Sequence, residues 1–378
     1  MKQLPSQILE TTSSDEHTAV LELKNNLNID SPAAIIFFCS SQYDLDVLAV
    51  ELNANFKCKI LGCTTSGELA RAYKSAGIVA LVFSMDIFVV HSLLIENVNQ
   101  FELADAMKLV HTVERDLQYS SRITEENMFG FLMADGLSMK EEILIARLNQ
   151  AFDGINIFGG SAGDDLKFDN TYVFFEGKFY TQSALLLIIE LKCDYTLFKT
   201  QHFIPTHKEL ITTEVDFEKR LVKEINGEPA ANAFAEINNL DVNNLTATDF
   251  AIYPLMMNIS GEWYIRSIAS VNSDKSLQFY CAIDDGLPLS VAKGQDMLTR
   301  LEEETSSIID DFEEIYFTLG CDCILRKVEN LNNETTSSFK GILSKLNFIG
   351  FNSYGEQYKG VHFNQTLVAV VVGKKRNG

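Results

Sequence analysis

The sequence predicts an α/β fold of two closely packed domains, with stacked mixed β-sheets flanked by helices and built from repeated β-α-β-glycine-turn units. Three observations carry this expectation. Strand-like and helix-like stretches alternate along the chain, which is the pattern of parallel crossover units. A glycine-framed turn follows a strand at three widely separated places. The apolar runs after those turns read as further strands of the same sheets.

The first unit starts with AAIIFFCS (33–40), continues through a helix-like stretch from Asp44 to Asn53, and enters KCKILG. It closes on the turn L-G-C-T-T-S-G-E (61–68), which ends in Glu68. In the second, MFGFLMAD (128–135) leads to a helix and then INIFGGSAGDD. Ser138 and Glu141 have the spacing of a capping box, in which each side chain satisfies the other's free amide. The third has EIYFTLGC (314–321), a helical stretch ending near Lys345, LNFIG, and the turn I-G-F-N-S-Y-G-E (349–356). The β-α-β order predicts parallel pairing inside each unit and places residues 61–68 and 349–356 at related strand ends. TYVFFEG, SALLLIIEL and TLVAVVVG then add antiparallel partners. Ile78 to Ile95 is interrupted by Ser-Met-Asp and reads as a hairpin in a soluble core rather than a membrane span. INGEP, a turn before a helix start with proline in its first turn, marks the best boundary between Val222 and Pro229. The division is an N-terminal extension (1–29), a first domain (30–224) and a second (225–378).

With 378 residues, 46 % hydrophobic and 10 % aromatic, the chain can bury sizeable cores. Its net charge of −21 argues against nucleic-acid binding, which needs clustered Lys and Arg, and against anionic membranes. The N-terminus has no apolar segment of a secretory signal, and seven cysteines fit a reducing cytoplasm better than a disulfide framework.

The glycine turns have two readings. One is structural, since glycine permits positive φ and close backbone approach. In the other, Gly62, Gly67, Glu68, Gly159, Gly163, Asp164, Gly350, Gly355 and Glu356 line a ligand cleft at the strand ends. Gly159 to Gly163 also matches G-x-S-x-G, but an elbow needs a helix after Ser161, and turn and strand follow instead. A serine hydrolase is therefore the least favoured reading, and no catalytic residue is assigned. No phosphate loop, dinucleotide fingerprint, metalloprotease or paired-cysteine motif occurs. Cys321 and Cys323 end a strand on one face and could share a metal or iron–sulfur cluster, with Cys281 or His362 as further donors, although buried core cysteines are the simpler reading. Of six histidines, His17, His91 and His111 read as polar-segment, core or helix-face residues. His202 stands among Phe198, Phe203 and Ile204 on a strip stiffened by Pro205, a setting that suits a heme ligand, although most such histidines are structural. His207 is a neighbouring competitor.

ILGCTTSGEL, FGGSAGDD and IGFNSYGEQYKGVHFNQTL resemble the signatures of FIST-domain sensory proteins, over about residue 30 to the C-terminus. The two domains then resemble FIST N (30–224) and FIST C (225–378). HFIPT, EINGEPAANAFA, RSIASVNSDKSLQFYCAIDDG, CDCILRKVE and YGEQYKGVHFNQT are similar to the NosP subgroup. That resemblance implies a cytoplasmic bacterial binding protein rather than an enzyme. It implies heme as cofactor and nitric oxide as signal, with output in trans on a histidine kinase or a cyclic-di-GMP enzyme. It favours His202 as iron ligand, then His362, with Phe203 and Pro205 shaping the site. Two alternatives stay open: an iron–sulfur cluster on Cys321 and Cys323, and a small organic ligand such as an amino acid. Homo-oligomerisation also stays open.

Overall fold

A computed structural model describes residues 4–73 and 76–376. Its strands form four sheets, and three of them follow one plan. In each, the first strand of a unit (Pro32–Ser40, Met128–Ala134, Phe312–Cys323) pairs in parallel with the second (Lys59–Thr65, Ile157–Ser161, Phe348–Ser353). A closing strand (Ile78–Ser84, Ala184–Leu191, Leu367–Lys375) lies antiparallel on the other edge of the first. The outermost strand beyond it (Ser6–Thr11, Phe88–Ile95, Asp194–Thr200) precedes the unit in sequence. Residues 1–29 thus supply the opening strand of the first unit and its helix Glu16–Asn25.

The remaining edge is filled by exchange. After its turn, each unit lends a three-residue strand to another unit's second strand. Glu68–Ala70 pairs with Phe348–Ser353, Glu356–Tyr358 with Ile157–Ser161, and Val173–Phe175 with Lys59–Thr65. The three loans close a cycle. Residues 61–68 and 349–356 therefore occupy equivalent strand ends, as the repeat predicts. Ile78–Ser84 and Phe88–Ile95 are both strands, but they join different sheets and do not pair with each other. The expected hairpin is an arch, because each strand finds a longer partner in its own unit.

The inner faces of the three sheets share one core, in which Phe38, Phe83, Phe131, Phe317 and Phe351 are buried together. The outer faces carry helices: Glu16–Asn25 and Leu45–Asn55 on the first, Leu103–Arg115 and Glu141–Ala151 on the second, Met297–Asp311 and Thr336–Lys345 on the third. Burial on both sides explains why these strands are continuously apolar. Helix Glu141–Ala151 starts without the expected capping box: Ser138 bonds to Asp135 O, and Glu141 turns inward.

The fourth sheet, built from strands between Phe203 and Gly294, is inserted between the opening strand and first helix of the third unit. It has its own core around Phe234, Phe250 and Phe279. INGEP lies inside it as a tight hairpin, with Pro229 capping helix Ala230–Asn238. Pro205 occupies an irregular stretch of strand Phe203–Asp216, a position that spares a ladder hydrogen bond.

Gly62, Gly159 and Gly350 sit where a second strand passes closest to the first. A Cβ there would lie 2.4 Å from Phe37 O, 1.9 Å from Leu132 O and 1.7 Å from Gly320 O, respectively. Backbone cannot yield as a side chain can. Gly350→Ala is expected to cost about 3 kcal/mol or more, beyond ordinary overpacking of about 1–3 kcal/mol. Gly341→Ala, in helix Thr336–Lys345 with nothing within 4 Å, is expected to be neutral or stabilising by up to about 1 kcal/mol. Urea unfolding of both variants checks the contrast; equal effects would refute the close-approach account.

Candidate functional site

The glycine turns build the interior where the units meet. Gly67 and Gly355 hold φ of 144° and 146°, values that a side chain tolerates poorly. In each turn the strand's last hydroxyl bonds the acid three residues on: Thr65 Oγ1 donates to Glu68 Oε1 at 2.8 Å, and Ser353 Oγ to Glu356 Oε1 at 2.6 Å. Both carboxyls are buried. Burial pushes Glu68 up to about 7, against the opposing Thr65 hydrogen bond, and the nearby Asp165 charge adds to the rise. Burial raises Glu356 well above the carboxylate range as well. Asp164 differs. Although burial opposes it, the Tyr354 hydroxyl and the amides of Phe168, Asp169 and Asn170 hold its carboxyl below the usual range.

Beside this interior, between the second unit, the third unit and the inserted sheet, lies a cleft of about 500 Å³. Leu137, Leu166, Phe168, Phe279, Ile324 and Leu325 give it apolar walls, and Arg220, Tyr354 and Asn364 supply polar groups. The Tyr354 ring stacks on Phe168 with centroids 4.9 Å apart, while its hydroxyl accepts from Leu166 N at 2.7 Å. Arg220 is buried; its Nη2 reaches Glu141 at 2.5 Å and Glu142 at 2.8 Å, its Nη1 reaches Tyr280 O at 2.7 Å, and its Nε has no partner.

None of Gly62, Gly67, Glu68, Gly159, Gly163, Asp164, Gly350, Gly355 or Glu356 borders this cleft. They pack against other interior groups. A Cβ on Gly67 would meet Lys327 Nζ at 2.3 Å, one on Gly163 would meet Ser66 Oγ at 2.2 Å, and one on Gly355 would meet His362 Cε1 at 2.4 Å. Sequence reasoning missed Arg220, Glu141 and Glu142. Tyr354 was visible inside the third turn, but nothing local marks Arg220. Ser161 is fully buried at a strand end and bonded to Gln357 Nε2 at 3.0 Å, so it has no elbow geometry.

Residues 33–228 match the family model of the FIST N domain, and residues 230–359 match that of the FIST C domain. The chain belongs to the FIST family. FIST domains are sensor domains of signal transduction and are sensory rather than catalytic. The uncharacterized protein MJ1623 of Methanocaldococcus jannaschii is 25 % identical over 371 residues, covering 89 % of this chain and 68 % of that one. The boundary between the two FIST matches falls within the inserted sheet, whose strand Phe203–Asp216 belongs to FIST N and whose strand Pro288–Gly294 belongs to FIST C.

In this FIST protein His202 and Phe203 border a second cavity, of about 930 Å³, between the inserted sheet and helix Ile324–Asn332. His202 is buried and packs on Phe203 at 4.3 Å. Its Nε2 lies 3.0 Å from Glu329 Oε1 but off a hydrogen-bond line, so it keeps an electrostatic neighbour without a hydrogen bond. Its Nδ1 lies 3.5 Å from Arg326 Nη1. Ile204 and His207 face outward rather than toward His202. Cys321 belongs to the shared core, and Cys323 is buried near Glu356; burial raises both thiols far above their ordinary value. Among the described residues, the one set of three close metal-capable donors is Glu142, Cys281 and His362, which contains neither of those cysteines.

Because folded Glu68 holds its proton more tightly than an unfolded carboxyl near 4.5, its contribution to stability is fully present at low pH and is lost as pH rises through about 7. Glu68→Gln, whose amide oxygen still accepts from Thr65, removes that loss. Relative to wild type it is expected to gain up to about 3 kcal/mol at pH 8 and little at pH 5. Denaturant melts at the two pH values measure the difference, and a pH-independent difference would contradict it.

Proposed function

We propose that the protein senses a small amphipathic metabolite, best matched by an amino acid with an apolar side chain, bound in the 500 Å³ cleft. The observation that carries this reading is Arg220, which lines a largely apolar cleft and whose buried Nε has no partner. A ligand carboxylate would complete that donor, and charge-assisted hydrogen bonds are the stronger ones. Arg220 is already neutralised by two glutamates, and Asp169 also borders the cleft. A simple anion therefore gains less there than a zwitterion, whose ammonium group suits the acidic surroundings. Output passes in trans to a histidine kinase or cyclic-di-GMP enzyme, on the strength of the NosP-like sequence blocks.

Heme at His202, with nitric oxide as signal, is the second reading. It is favoured by the hydrogen-bond-free Nε2 at a 930 Å³ cavity and by Lys208 and Lys293 on its walls, which suit propionates. Bound heme would supply an iron site for nitric oxide, and His202 and Phe203 would hold and wall it. The fit is partial. A donor, Arg326, rather than an acceptor faces Nδ1, whereas an iron-bound imidazole is ordinarily braced by an acceptor at its second nitrogen.

Thermal melts with each amino acid at millimolar concentration test the first reading. Saturation at 100 times Kd adds about 2.7 kcal/mol, and Phe168→Ala, which strips an exposed wall, should weaken binding about tenfold while the apo melt stays put. If no amino acid shifts the wild-type melt, the reading fails. Reconstitution with heme separates the second: a Soret band lost only in His202→Ala would support it, and a band kept by that variant would exclude His202 as ligand.

A further inference from the structure

The geometry points to a transition-metal site, of the kind zinc occupies, formed by Glu142, Cys281 and His362. Their ligating atoms lie within 4.8 Å of one another. Tetrahedral bonds of about 2.0–2.3 Å place ligand atoms roughly 3.3–3.8 Å apart, so closure needs a movement of about 1 Å. The donors come from distant parts of the chain: the first turn of helix Glu141–Ala151, the loop after strand Leu277–Phe279 of the inserted sheet, and strand Val361–Phe363. Nothing local brings them together.

His362 supports the assignment most directly. It is 1 % exposed, its Nδ1 is engaged by Gln357 Nε2 at 3.0 Å, and its Nε2 has no partner. With the Gln357 amide turned so that its partnerless Oε1 accepts from Nδ1, Nε2 is left as the vacant donor, which is how proteins present a metal ligand. Cys281 is fully buried with its thiol toward Asn364 Oδ1 at 2.8 Å. Burial pushes that thiol up to about 12, so it stays protonated until a metal displaces the proton to solvent and the metal–sulfur bond forms.

Two guanidiniums stand nearby, and the geometry accommodates them. Arg220 bonds both Glu141 and Glu142, so it keeps a carboxylate when Glu142 turns to the metal. Arg266 Nη1 is fixed on His362 O at 2.8 Å. A thiolate, an imidazole and one carboxylate form a borderline-soft set that disfavours magnesium and calcium. Asn364 borders both the cluster and the cleft, which provides a route in. Three protein ligands leave a fourth position for water or another donor. The bound ion would tie the inserted sheet to the second and third units.

Full-length protein stripped with chelator and titrated with cobalt(II) tests this without any activity assay. One equivalent should produce thiolate-to-cobalt charge transfer in the near ultraviolet with intense tetrahedral visible bands, and zinc should abolish both. Cys281→Ser should lose the charge transfer, whereas Cys58→Ser should keep it. His362→Gln and Glu142→Gln should each weaken cobalt binding at least about tenfold. Absence of charge transfer in the wild type overturns the assignment even if a variant fails to fold. Persistence in Cys281→Ser overturns it as well.

Discussion

The three-sheet body depends on a backbone-to-backbone approach that only glycine allows. At Gly62, Gly159 and Gly350 the second strand of each unit lies so near the first that a Cβ would sit inside a carbonyl's contact distance. The opposite edge of that same residue receives the exchanged strand: Phe174 on Gly62, Gln357 on Gly159 and Leu69 on Gly350. Each glycine thus lies at the middle of a three-strand crossing, and the cycle of loans requires all three. This is why the turn recurs across nearly three hundred residues. Repetition follows from closure, since one unit cannot cover its own open edge and each relies on another.

The inserted sheet is held by a different kind of interaction. Arg220, with Glu141 and Glu142, spans the junction together with Ala282 N on Glu142 Oε1 and Arg266 on His362 O. Breaking a buried pair by removing one partner costs about 3–5 kcal/mol, although the intact pair adds little net stability over an apolar contact. Such bonds fix orientation more than they strengthen the fold. An apolar junction could slide, whereas a guanidinium between two carboxylates specifies one seat.

The repeated units were legible because parallel strand–helix–strand blocks leave long apolar runs and glycine punctuation. The exchange was not, since three-residue strands such as Glu68–Ala70 carry no sign of which distant edge they join. The arch at Met85-Asp86 looked like a hairpin because proximity in sequence was taken for pairing. Ser138 and Glu141 had capping-box spacing, but pairing with Arg220, seventy-nine residues away, outweighs a local cap. The inserted sheet brings no change of composition, so it was read across rather than set apart. The apolar neighbours singled out His202 as an iron-ligand candidate, yet Arg326 and Glu329, which set its surroundings, lie more than a hundred residues downstream.

Placement of the cleft bears on how a signal would leave it. Its walls are drawn from the second unit (Leu137, Phe168), the third (Ile324, Tyr354) and the insert (Arg220, Phe279). The first two are locked together by strand exchange and a shared apolar core. The insert has a separate core and meets them through directional polar bonds and a smaller apolar contact at Tyr264 and Phe363. A ligand touching all three therefore acts on the one joint with alternatives, because moving the exchanged strands would break the body itself. Differential binding to two seats of the insert need amount to only about 1–3 kcal/mol, or roughly 5–150-fold, for useful coupling. A rearranged Arg220–glutamate cluster falls within that range, since the net worth of such a cluster is small while its geometry is exacting.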